Sequence, residues 1–225
     1  IINGSSLDLN SVRDKQKLEN WFNDKVSFSK ILEKFAGDHS RRDVIRRHIK
    51  DLKPSSGYEM LASLLKNGFF RVAFTTNFDN LLEKSLQSQG LELSSDFEVL
   101  TLGKDKEEVI CSRLYDVLRN KTKTFIILKL HGDLNYPSTL KITTKETSKF
   151  SRRILRILTE CLSRFGVIFI GYSGKDQDII EALSKIKKVD YPHWFVLKTR
   201  MSNKRILGYL EKIKSENNIL WDEEG

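Results

Sequence analysis

Phe125 to Tyr136 reads F-I-I-L-K-L-H-G-D-L-N-Y. The run Phe125–Leu128 is short and wholly apolar, the pattern of a central strand buried on both faces. It ends in His131-Gly132-Asp133, where Gly132 lets the backbone turn sharply. A histidine there stands at the carboxyl edge of a sheet, the edge at which open α/β folds bind ligands. Two other strand-like runs end similarly. Arg71–Phe74 leads into Thr75-Thr76-Asn77-Phe78-Asp79, and Val167–Ile170 leads into Gly171-Tyr172-Ser173-Gly174. Three such ends predict one cleft with Asn77, His131 and Ser173 around it.

Strand-like and helix-like runs alternate through the rest of the chain. Helical spacing is expected over Asn80–Gln89, Arg152–Phe165, the run opening at Asp176, and Ile206–Ile213, and Glu107–Leu118 reads as a helix or a mixed segment. Phe97–Leu100 and Trp194–Leu197 read as further strands, the latter buried. This alternation predicts an α/β fold: a Rossmann-like parallel sheet with helices on both faces. Between a short first strand at Ile1-Ile2 and the strand at Arg71, the stretch at about 15–67 is helical in pattern and reads as a helical insertion beside the sheet. The whole of 1–225 is expected to be a single domain. The chain begins without Met and could be a fragment of a longer multidomain protein.

With 39% hydrophobic and 31% charged residues, the composition is that of a globular rather than a disordered chain. No apolar run approaches the roughly 20 residues needed to cross a bilayer, and Ile1–Asn10 shows no signal-peptide pattern. No membrane partner is expected. Two distant cysteines, Cys111 and Cys161, could pair, though nothing requires it; such sparse use suits a reducing cytosol, and a cytoplasmic location is expected. Two cysteines cannot build a four-cysteine zinc site, so no zinc module and no metal are expected. The net charge of +9 and pI of about 9.4 permit attraction to an anionic partner. The basic residues lie in helical patterns and read first as solvated faces, so nucleic acid is expected only indirectly, through a partner.

Each polar residue at the strand ends has a structural and a chemical reading. His131 is suited to a general base, since imidazole titrates near pH 6.5, but a loop hydrogen bond would also use it. Asn77 can donate and accept at once, and so hold a sugar hydroxyl or a water. Asp79 reads first as a cap for the following helix. Gly171 and Ser173 could cradle a phosphate or ribose, and Gly4, Ser5 and Ser6 could form a phosphate-binding turn or an ordinary loop. Asp176 and Asp178 are expected as cap and first-turn acid; His39, His48 and His193 read as packed or surface histidines.

T-T-N-F-D at Thr75–Asp79, K-L-H-G-D at Lys129–Asp133 and G-Y-S-G-K-D-Q-D at Gly171–Asp178 resemble the SIR2-like domains of the sirtuin superfamily. The likeness is closest to the bacterial SIR2-like NAD hydrolases of antiphage defence. It spans nearly the whole chain, with the motifs in family order after strands. The resemblance implies NAD+ as substrate and Asn77 and His131 as catalytic residues. It implies cofactor contacts from Gly4, Ser6, Thr75, Thr76, Asp79, Gly132, Gly171 and Ser173. The family's first glycine-rich loop is represented here only by Gly4, Ser5 and Ser6. Homo-oligomerisation, or assembly with a sensor domain or subunit, is implied as well. A non-catalytic NAD- or ADP-ribose-binding or assembly module is the alternative; a protein deacylase ranks lower, because sirtuins proper carry the four-cysteine zinc module.

Overall fold

A computed structural model describes residues 52–122, 124–141, 150–172, 174, 176–197, 203–214 and 218–221. The expected first strand with Gly4 and Ser6, most of the helical insertion, and Ser173 lie outside the described residues. The elements, in chain order, are α1 (Ser56–Lys66), β1 (Val72–Thr75), α2 (Leu81–Ser88), β2 (Phe97–Thr101), α3 (Glu107–Leu118), β3 (Phe125–Lys129), a 3-10 turn (Pro137–Thr139), α4 (Arg152–Arg164), β4 (Val167–Ile170), α5 (Gln177–Lys185), β5 (His193–Leu197), α6 (Lys204–Lys212) and β6 (Ile219–Trp221). Among the described residues every pairing between named strands is parallel, so the fold is the α/β, Rossmann-like class expected. The described residues group into two compact units.

The first unit holds the sheet β1-β3-β2 with α1 and α2. All five β3 residues are buried, as its apolar run demands. Ala73, Ile127 and Val99 form one cross-strand row. That row packs with Ala62 and Leu65 of α1, Leu82 and Leu86 of α2, and Phe97 stacked on Phe125 at 5.5 Å. Each large apolar side chain buried here contributes about 1.5–3 kcal/mol. Ser55 holds the α1 N-cap position with extended backbone, but its hydroxyl makes no capping bond.

The second unit holds the sheet β4-β5-β6 with α3, α4, α5 and α6. Ser151 caps α4 by accepting from the Ile154 amide at 3.2 Å and donating to Glu107 of α3 at 2.6 Å. β5 is not the uniformly buried strand expected. His193 and Phe195 are buried and Trp194 and Val196 exposed, because the strand presents alternate residues to opposite faces. Asp178 does more than the expected first-turn acid: it is buried and accepts the Phe150 amide at 3.0 Å. Asp176 holds the N-cap position of α5 without a side-chain capping bond. Cys111 and Cys161 are both buried free thiols, and burial pushes Cys161 up to about 12.

His193 is packed, as expected, and fully buried. Its Nε2 donates to the Leu162 carbonyl at 2.8 Å and its Nδ1 accepts from the Tyr209 hydroxyl at 2.6 Å. This pattern requires the neutral ring, and burial holds its pKa below the ordinary histidine value. The unfolded chain therefore binds a proton that the folded chain refuses. The stabilisation is complete above about pH 6.5 and is lost as pH falls from there toward the depressed folded value. In urea unfolding between pH 8 and 5, His193→Gln is expected to remove up to about 1.4 kcal/mol per pH unit of this slope. An unchanged slope would contradict the assignment.

Candidate functional site

The carboxyl ends of β1 and β3 meet at a register pair, Thr75 with Lys129. Asn77 and His131 stand at the same distance along the chain beyond that pair. The two loops are tied together directly: Leu130 N donates to Thr75 O at 2.9 Å, and Leu134 N to Phe78 O at 2.9 Å. The structure thus brings Thr75, Thr76, Asn77, Asp79, His131 and Gly132 to one sheet edge of the first unit.

Within the β1 loop, the Thr75 hydroxyl accepts the Asn77 amide at 3.0 Å. Thr76 is half-buried and Asn77 exposed. The Asn77 side-chain Nδ2 donates to the Tyr58 hydroxyl of α1 at 3.1 Å. Asp79 stands one residue ahead of the expected cap position, which Asn80 holds. Its Oδ1 accepts the Leu81 amide at 3.0 Å, an Asx turn that leads into α2.

The β3 loop is tighter. His131 is buried, and its carbonyl accepts the Lys141 amide at 3.0 Å. Gly132 has φ +91°. Asp133 is buried; its Oδ1 accepts the Asn135 amide at 2.7 Å, while its own amide donates to the Thr139 hydroxyl at 3.0 Å.

Beneath both loops lies a group to which the sequence pattern assigns no role. Lys129 is fully buried, with its ammonium 2.6 Å from Glu83 of α2, 2.7 Å from Asp133, and donating to the Asp79 carbonyl at 2.6 Å. Burial alone would discharge it, but Glu83 and then Asp133 outweigh burial and hold its pKa above the ordinary lysine value. Glu83 moves the opposite way with respect to charge: burial outweighs the attraction of Lys129 and pushes its carboxyl up. The lysine direction governs, because three oxygens surround its nitrogen. One charged group therefore clamps the loop of Asn77, the loop of His131 and the first turn of α2. The available signal is a lone charge inside an apolar strand, which buried placement requires to be paired.

In the second unit Gly171 follows β4, exposed, with φ +65°, and its amide donates to the Val196 carbonyl at 2.9 Å. Its neighbour Tyr172 is partly buried, and burial pushes its phenol above the ordinary value. A shallow depression along α6, lined by Lys204, Leu207, Gly208, Leu210 and Glu211, contains none of the strand-end residues. Among the described residues, no group of three or more His, Cys, Asp or Glu side chains is placed to hold a metal ion. No described helix is long and apolar enough to cross a membrane.

The sequence profile of the SIR2-like domain matches residues 71–218. The chain belongs to the SIR2-like domain family. Over 157 residues it is 24% identical to the NAD(+) hydrolase ThsA of Acinetobacter baumannii (strain 532279), a match covering 67% of this chain and 29% of that protein. The chain thus spans less than a third of the length of that relative.

Proposed function

We propose that this chain hydrolyses NAD+ to nicotinamide and ADP-ribose. The observation that carries the reading is the placement of Asn77 and His131 beyond the paired Thr75–Lys129 rung, in a chain of the SIR2-like family. The C1′–N bond breaks with its electron pair passing to the nicotinamide nitrogen, whose positive charge is thereby quenched. Water attacks C1′, and His131 accepts the proton that the water loses. Asn77 holds the attacking water or the nicotinamide ribose, Asp79 lies on the nicotinamide side, and Thr75, Thr76 and Gly132 line the approach. Positioning and stabilisation of developing charge do most of the work, because nicotinamide is already a good leaving group. The motif resemblance also supports contacts of Gly4, Ser6, Gly171 and Ser173 with the phosphates or adenosine ribose.

Uncontrolled hydrolysis would empty the cell of NAD+. We therefore infer an effector of antiphage defence that depletes NAD+ in the cytoplasm, held in check by a sensor domain or subunit or by assembly of copies. A strict monomer in light scattering, at full activity, would oppose the assembly part.

The test is nicotinamide release by the purified protein. His131→Ala is expected to lose about 10²–10⁴-fold, and Asn77→Ala about 10²-fold through lost positioning, with both variants folded. Turnover undiminished in His131→Ala would overturn its role. Binding of NAD+ without turnover in the parent protein would favour a non-catalytic binding module.

A further inference from the structure

Tyr58 has no part in the chemistry above, yet its hydroxyl is the group that engages the Asn77 side chain. It stands in the first turns of α1, half-buried, 19 residues before Asn77 in the chain, and accepts from Asn77 Nδ2 at 3.1 Å. Asn77 itself is exposed. An exposed asparagine ordinarily moves among rotamers, but here both its amide groups are tied: the backbone N–H to the Thr75 hydroxyl and the side-chain NH₂ to Tyr58. With Nδ2 committed, the carboxamide presents Oδ1 as its acceptor. A phenol that accepts through its oxygen retains its own O–H to donate. Burial, and next the nearby Asp79 charge, push the Tyr58 pKa above the ordinary value, so the donor persists at working pH.

We propose that Tyr58 is a positioning residue that acts through Asn77, setting a carboxamide acceptor beside a phenolic donor to receive a water or a ribose hydroxyl. This arrangement suits a hydroxyl because a hydroxyl both donates and accepts. The proposal rests on the reading of Asn77 given above. It also gives α1 a second role. Besides covering the sheet through Ala62 and Leu65, the helix delivers the group that orients the β1 loop.

The test is Tyr58→Phe, which keeps the ring and removes the hydroxyl. Nicotinamide release is expected to fall about tenfold in kcat with little change in KM, the size of one lost hydrogen bond. The side-chain amide signal of Asn77 in ¹⁵N NMR is expected to move, and in an Asn77→Ala background the same change is expected to cost clearly less than in the parent protein. A merely structural role would lower thermal stability and leave kcat unchanged at temperatures where the variant stays folded. If the parent protein does not turn NAD+ over, the hydrolase reading fails by itself. Tyr58 is then judged by ADP-ribose titration: about tenfold weaker binding by Tyr58→Phe supports positioning. Equal affinity overturns it.

Discussion

Lys129→Met is expected to lower the free energy of unfolding by about 3–5 kcal/mol, read as a drop in the urea midpoint. Methionine retains a stem of similar length, so the loss is mainly one of charge. In the variant Glu83 and Asp133 keep their places around the former ammonium site, with no cation between them. Removing one member of a buried ionic cluster costs more than the cluster contributes, because the others stay desolvated. The pH dependence separates this cause from packing. Burial already pushes the Glu83 carboxyl up, against the pull of Lys129; without the lysine it rises further. A carboxyl whose folded pKa exceeds its unfolded one favours folding at pH below the unfolded value, and that contribution is lost as pH rises through the folded value. The deficit of Lys129→Met is therefore largest near neutral pH and shrinks toward pH 5. Adding Glu83→Gln should recover part of it. A deficit independent of pH would assign the loss to packing, and one below about 1 kcal/mol would show that the cluster matters little.

The strands are legible in the sequence where apolar runs carry their own length signal. Phe125–Lys129 is buried throughout, whereas Glu107–Leu118, open between a helix and a mixed segment in the sequence, is a helix. β6 escapes such a reading because Ile219–Trp221 is too short to show a period. The exposure of Trp194 and Val196 escapes it because four consecutive apolar residues do not reveal which face is covered. The positions of Asn77 and His131 at the sheet edge are legible because each follows a strand closely, and strand ends are where parallel sheets gather ligand groups. Their supports are not. Lys129 looks like part of a motif, and its partner Glu83 lies on a different element. Tyr58 meets Asn77 through a helix-to-loop bond that no periodicity encodes. Sequence pattern reports the groups that stand at a strand end better than those that hold them, since holding depends on contacts between elements distant along the chain.

Those holding contacts are tightest at Gly132, and Gly132→Ala is expected to be the second severe substitution. Its φ of +91° is a conformation that residues with a Cβ rarely adopt, costing about 1–3 kcal/mol. There is also no room. A Cβ at Gly132 would lie 2.3 Å from the Thr139 carbonyl oxygen and 2.8 Å from the Leu140 amide nitrogen, both backbone atoms that no rotamer change can move. Forcing them apart adds about 1–3 kcal/mol. Thr139 cannot retreat freely, because its hydroxyl accepts the Asp133 amide and donates to the Tyr136 carbonyl. The displacement therefore passes to Asp133, and from it to the Lys129 clamp and the His131 loop. Gly171→Ala is the control: its φ of +65° is also strained, but nothing lies within 4 Å of the added carbon. Urea unfolding should place Gly132→Ala well below Gly171→Ala, by about the cost of the clash. Equal losses would mean that the loop around Thr139 yields, and that Gly132 is required only for its backbone angle.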